Sequence, residues 1–136
     1  MKFTIPIEPT GQMRARHGVV NGHARTYKHA KQEGRENKFL AFAVQHAPEE
    51  PIKSALDVTI NAYMPIPKSM PKKARELAIS GAIRPAKKPD PDNIGKHALD
   101  CMNGIFWDDD RQIVGLTVRK FYSENPRWEI EILEAV

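Results

Sequence analysis

The chain has 136 residues, enough for one domain with a sizeable core and too few for two. Its 40% hydrophobic and 28% charged residues exclude a disordered chain, and no apolar run is long enough to span a bilayer. A net charge of +4 favours an anionic partner, while the single cysteine, Cys101, rules out an internal disulfide and fits a cytoplasmic protein.

Lys2 to Ile7 alternates, with Phe3, Ile5 and Ile7 on one side, and reads as a strand stopped by Pro9 and Gly11. The first residues lack the long apolar segment of a secretory signal. A basic loop follows from Gln12 to His17. Asn21-Gly22, between Val19-Val20 and His23 to Tyr27, is a strong hairpin signal. From about Lys31 to His46 the period is helical, with Phe39, Phe42, Ala43 and His46 on one stripe and Pro48 as the stop. Leu56, Val58, Ile60 and Ala62 mark a second long strand, closed by Pro65 and Pro67. Ser69 is placed to cap a short helix with Pro71 in its first turn, ending at Gly81.

A connector rich in proline and lysine, Ile83 to Pro89, leads to a central helix from about Pro91 to Asn103 or Ile105. Ile94, Ala98, Cys101, Met102 and Ile105 form its apolar stripe, and Asn103-Gly104 its stop. Ile113 to Tyr122 and Arg127 to Leu133 alternate as two strands joined at Glu124-Asn125-Pro126. The expectation is a single α+β domain over 1–136, with a mixed or antiparallel sheet, two to three helices, and dimerisation through the central helix region.

The charge is unevenly distributed. Residues 11 to 39 carry Arg14, Arg16, Arg25, Lys28, Lys31, Arg35 and Lys38 against two glutamates. Residues 68 to 88 carry seven cations, Lys87 and Lys88 among them, against Glu76. Between them and the C-terminal strands lie Asp90, Asp92, Asp100, Asp108, Asp109 and Asp110, with Lys96 alone opposing them. Basic segments flanking an acidic centre suit a protein that neutralises phosphates and holds a divalent cation against them. Each acid cluster also has a structural reading. Asp90-Pro91-Asp92 is a good helix start, Asp92, Lys96 and Asp100 form an i, i+4, i+8 ladder, and Asp108 to Asp110 suit a solvated turn.

Other chemistries are excluded. Counted from Asp90, an EF-hand loop fails at Ile94 and Cys101. His17, His23, His29, His46 and His97 have no zinc-like spacing, and no glycine-rich phosphate loop is present, so no nucleotide cofactor is expected.

The order Asp90-x-Asp92-Asn93-x-x-Lys96, then Leu99-Asp100, Asn103-Gly104, Phe106-Trp107 and Asp109-Asp110-x-Gln112-Ile113-Val114, resembles the RusA family of Holliday junction resolvases, typically encoded by phages and prophages. Pro9 to Arg16, with Arg25-Thr26-Tyr27, is similar to that family's basic N-terminal segment. The resemblance implies a homodimeric endodeoxyribonuclease, dependent on Mg²⁺ with Mn²⁺ as a substitute, that nicks four-way junctions symmetrically in recombination and repair. By resemblance Asp90, Asp92 and Asp110 hold metal, Asp109 assists, and Lys96 is the essential cation. Arg14, Arg16, Arg25, Lys28, Lys87 and Lys88 are the expected DNA contacts.

Two alternatives stand beside it: a non-catalytic DNA-binding phage protein, and a flap or fork nuclease using the same site. Trp107 and Phe106 suit core or dimer packing better than base stacking, whereas Tyr27, amid Arg25 and Lys28, is a candidate DNA contact. Geometry adds a constraint. A helix from 91 to 104 is about 21 Å long, so the two acid groups meet only if the chain doubles back or a second subunit supplies one of them.

Overall fold

A computed structural model describes residues 1–13, 16–20, 23–27 and 30–135, with side chains described for 1–13 and 30–135. The elements are β1 (Lys2–Ile5), β2 (Arg16–Val20), β3 (His23–Tyr27), α1 (Ala30–Ala43), β4 (Leu56–Pro65), α2 (Lys72–Ser80), α3 (Pro91–Met102), β5 (Ile113–Ser123) and β6 (Arg127–Glu134). Four strands form one sheet in the order β1-β6-β4-β5, and β2 and β3 pair separately. β4 runs antiparallel to β6 and parallel to β5. The parallel pair exists because α2 and α3 lie between β4 and β5 and return the chain to the same end of the sheet. The sheet is therefore mixed, and the architecture is α+β.

β4 is the centre of the sheet. Leu56, Val58, Ile60, Ala62 and Met64 are buried at alternate positions, as a strand with one face on the core requires. Phe3 and Ile5 of β1, and Trp128, Ile130 and Ile132 of β6, extend the same surface. Phe39 of α1 closes it, its ring 5.1 Å from Trp128 in an edge-on contact. Ile94, Ala98, Cys101 and Met102 of α3 complete the core with Phe106 and Trp107, as their helical spacing predicts. Both tryptophans are buried, so Trp107 packs in the core.

Several boundaries differ from expectation. β1 stops at Ile5, not Ile7, because Pro6 has no N–H to donate and Ile7 N–H turns back to Ile5 O at 2.9 Å. The α1 hydrogen-bond pattern ends at Ala43 and tightens into a 3₁₀ turn over Val44–His46. His46 is exposed rather than in the apolar stripe, stacking on Phe3 at 5.0 Å. Ser69 does not cap α2: it sits in a turn closed by Met70 N–H to Pro67 O, and Pro71 takes the cap position with no side-chain hydrogen bond. Gly81 ends α2 at φ 88°, a left-handed conformation that glycine adopts without a Cβ clash. The register Val20↔His23 agrees with a two-residue hairpin, although Asn21 and Gly22 lie outside the described residues. No helix among the described residues is long and apolar enough to cross a membrane.

Candidate active site

The two acid groups are built at opposite ends of α3. Pro91 opens the helix and Asp90 holds the N-cap position with extended backbone, φ −71° and ψ 151°. Its carboxylate makes no capping hydrogen bond, so the structural reading of Asp90 holds for its position and not for its side chain. Asp92 lies in the first turn and is exposed. Lys96, one turn on, meets Asp100 at 3.3 Å, so the ladder has its second rung. Such exposed pairs contribute only tenths of a kcal/mol.

At the far end Asn103 caps α3 and Gly104 follows at φ 80°. The chain then drives Phe106 and Trp107 into the core and emerges at Asp108. Asp109 and Asp110 have different tasks. Asp109 caps the 3₁₀ turn Asp110–Gln112: its carboxylate accepts from Arg111 N–H at 2.9 Å, and its own N–H donates to Gln112 Oε1 at 2.9 Å. Asp110 is half-buried, and its Oδ1 accepts from the Trp107 indole N–H at 2.8 Å. The core thereby fixes one oxygen of Asp110. Asp108 is exposed.

These carboxylates do not gather within one chain. α3 has 12 residues, so its ends are about 18 Å apart at roughly 1.5 Å per residue. Among the described residues no group of three His, Cys, Asp or Glu side chains is placed to hold a metal ion. The donor set does suit a hard divalent cation, being all carboxylate oxygen, but the chain presents it in two parts.

Beside Asp90 opens a cleft of about 630 Å³, lined by Thr10, Gly11, Arg35, Lys87, Lys88 and Asp90 among others. Its floor is tightly made. Gln12 N–H donates to Asn93 O at 3.1 Å, and Arg35 Nη1 donates to Gly11 O at 3.0 Å. A Cβ on Gly11 would lie 2.9 Å from that of Pro89 and 3.1 Å from that of Asn93, so only glycine fits there. Lys120 Nζ donates to Lys87 O and Pro89 O, fastening the connector to β5. Lys87 and Lys88 thus line the cleft together with Asp90. Arg14 and Lys28 lie outside the described residues. Arg16 is on β2 and Arg25 and Tyr27 are on β3, with only their backbone described.

A buried polar cluster ties this region to the core. Gln32 Nε2 lies 3.0 Å from His97 Nδ1, 3.0 Å from Gln12 Oε1 and 3.2 Å from Glu36 Oε1, while its Oε1 accepts from Met13 N–H at 2.8 Å. An amide nitrogen only donates, so His97 Nδ1 is the acceptor and the imidazole is neutral. Burial pushes the His97 pKa down to about 4; Glu36 and Asp100 oppose the shift and Arg35 adds to it. Sequence reasoning missed this cluster, since neither Gln32 nor His97 belongs to a motif. It also missed the link from Trp107 to Asp110, for which the i, i+3 spacing was the available signal.

Residues 6–133 match the family model of endodeoxyribonuclease RusA. A relative from Bacillus subtilis (strain 168), an uncharacterized protein called YqaN, is 40% identical over 136 residues, covering 98% of this chain and 96% of its own. With nearly its whole length matched, the chain belongs to the RusA family of endodeoxyribonucleases.

Proposed function

We propose that this nuclease resolves four-way DNA junctions by paired nicks, as a homodimer whose two sites each combine Asp90 and Asp92 of one subunit with Asp110 of the other. The observation that carries the reading is the placement of the two acid groups at opposite ends of α3, with Asp110 anchored by a core tryptophan. Two copies packed antiparallel about a two-fold bring the first group of each beside the second group of the other. Two sites related by symmetry suit a substrate that is itself two-fold symmetric.

Asp90, Asp92 and Asp110 are the carboxylates to hold Mg²⁺, with Mn²⁺ as substitute, and Asp109 holds the turn that presents Asp110. When bound, such a cation lowers the pKa of water and polarises the scissile phosphate. Trp107 keeps the Asp110 carboxylate in one orientation. Lys96, exposed beside Asp92, offsets the negative charge that builds on the phosphoryl oxygens. Lys87, Lys88 and Arg35 line the cleft beside Asp90 and suit the backbone of the strand to be cut, and Arg16 and Arg25 belong to the β2–β3 hairpin.

Synthetic four-way, flap and linear duplexes, incubated with and without Mg²⁺, test the reading. Junction cleavage in symmetric pairs that Asp92→Asn abolishes without loss of junction binding is the expected result. Preference for flaps supports a flap or fork nuclease, and binding without cleavage of any substrate leaves a DNA-binding protein.

A further inference from the structure

Asp110 is held at two levels, its carboxylate and the backbone beneath it. The carboxylate accepts from the Trp107 indole N–H at 2.8 Å. The backbone belongs to the 3₁₀ turn Asp110–Gln112, a short piece of a helix type whose hydrogen bonds are poorly aligned. All five residues between Trp107 and Ile113 are polar, so no apolar side chain within the segment can root it in the core. A polar anchor has to serve instead.

Gln112 is that anchor. Its Oε1 accepts from Asp109 N–H at 2.9 Å, while its Nε2 donates to Ile52 O at 2.7 Å and to Ser54 O at 3.0 Å. A side-chain amide has two N–H donors and one carbonyl, and all three are used here. The two carbonyls lie 60 and 58 residues away in sequence, on the segment that leads into β4. That segment is itself fixed from both sides. Ile52 N–H donates to Phe106 O at 2.9 Å, and Ala135 N–H, just past β6, donates to Ala55 O at 2.9 Å. One amide therefore joins the turn under Asp110 to the entry of the central strand.

The residue type is demanding. Glutamate has the same shape, but its ionised carboxylate has no proton to give and would face two carbonyl oxygens. Methionine fills a similar space and makes none of the three bonds at comparable strength.

We infer that Gln112 is a positioning residue for the nuclease site: by clamping the Asp109–Gln112 turn to Ile52 and Ser54, it keeps the Asp110 carboxylate aimed at both Trp107 and a divalent cation. The inference deepens the reading of Asp110 as a metal ligand and rests on it. With the clamp released, the turn's backbone moves and the indole bond has no fixed partner. A role confined to stability would instead lower the melting point and leave the carboxylate's orientation unchanged.

The Trp107 indole N–H reports that orientation without metal or DNA. Its proton resonance, identified by its loss in Trp107→Phe, is expected at a hydrogen-bonded position in the unaltered chain. In Gln112→Glu it is expected to move toward the free-indole position. Half-maximal DNA cleavage is expected to need about tenfold more Mg²⁺, with the rate approaching the parent's at saturation. Gln112→Met repeats both measurements without the charge, in case Gln112→Glu does not fold. Ile60→Val, which loosens the core within β4, is expected to lower the urea midpoint with neither change. An indole resonance unmoved in the folded Gln112 variants overturns the proposal, and so does a Mg²⁺ requirement that rises as much in Ile60→Val. So does an Asp109 amide that exchanges as fast as exposed backbone in the unaltered chain, a measurement that needs no variant. Asp110→Asn is scored separately: if it cuts as the parent does, the metal-ligand reading falls and the catalytic consequence with it, while the indole resonance still decides the clamp.

Discussion

Trp107 donates its indole N–H to Asp110 at 2.8 Å, so the side chain that fills the core also aims the carboxylate at the far end of α3. Trp107→Phe keeps an aromatic ring in that space and removes the donor. The expected cost in stability is about 1 kcal/mol beyond any packing change, the net value of one hydrogen bond. The expected cost in junction cleavage is larger, roughly 10–100-fold, relieved in part at higher Mg²⁺, because losing an orienting partner weakens a metal ligand by about that factor. Cleavage rates across a Mg²⁺ titration, beside a urea melt, check both.

Subunit mixing tests the proposed sharing of sites directly. Asp90→Asn and Asp110→Asn chains are each expected to be inactive alone. A mixed dimer retains one site with all its carboxylates, so nicking of one strand returns, without paired cleavage. If each site lay within a single chain, every mixed dimer would stay inactive. Strand-specific labelling of the junction distinguishes the two.

His97 gives the stability curve a defined shape. Its folded pKa of about 4 lies below the ordinary value of 6.5, so the neutral form is favoured by folding. Its contribution is therefore complete above about pH 6.5 and declines as the pH falls toward 4. The gap corresponds to roughly 3 kcal/mol. Urea midpoints measured from pH 7 to 4 are expected to fall less for His97→Gln than for the parent chain, since carboxylates titrate in both.

Gln32→Leu removes the centre of the buried cluster and leaves His97 Nδ1 and Met13 N–H without their amide partner. A loss of about 2–3 kcal/mol is expected from the unsatisfied buried groups. The segment carrying Gln12 and Met13 also loses its tie to α1. Weaker junction binding with an unchanged Mg²⁺ requirement is the expected functional result, read by gel shift and cleavage.

The repeating side chains made much of the fold legible. Alternation at Leu56 to Ala62 and helical spacing at Ile94 to Met102 identify β4 and α3, because burial on one face imposes those periods. The direction of β5 against β4 was not legible, since pairing direction depends on how the intervening helices return the chain. The end of β1 and the start of α2 were misjudged where Pro6 and the turn at Pro67–Met70 redirected backbone hydrogen bonds. In the site, Asp90, Asp92 and Asp110 stood out by their density in a basic chain. That Asp109 is a cap while Asp110 is held by Trp107 depends on a three-residue turn, which side-chain type alone does not specify.

The fastening of the connector by Lys120 bears on how strongly ionic strength governs DNA affinity. Lys120 donates to two carbonyls, Arg84 to a third while stacked 4.4 Å over Phe121, and Arg127 lies 3.9 Å over Tyr63 beside Glu129. Cations anchored in this way are poorly placed to displace the counterions condensed on a duplex. The slope of log affinity against log salt should therefore be shallower than the 21 lysines and arginines suggest.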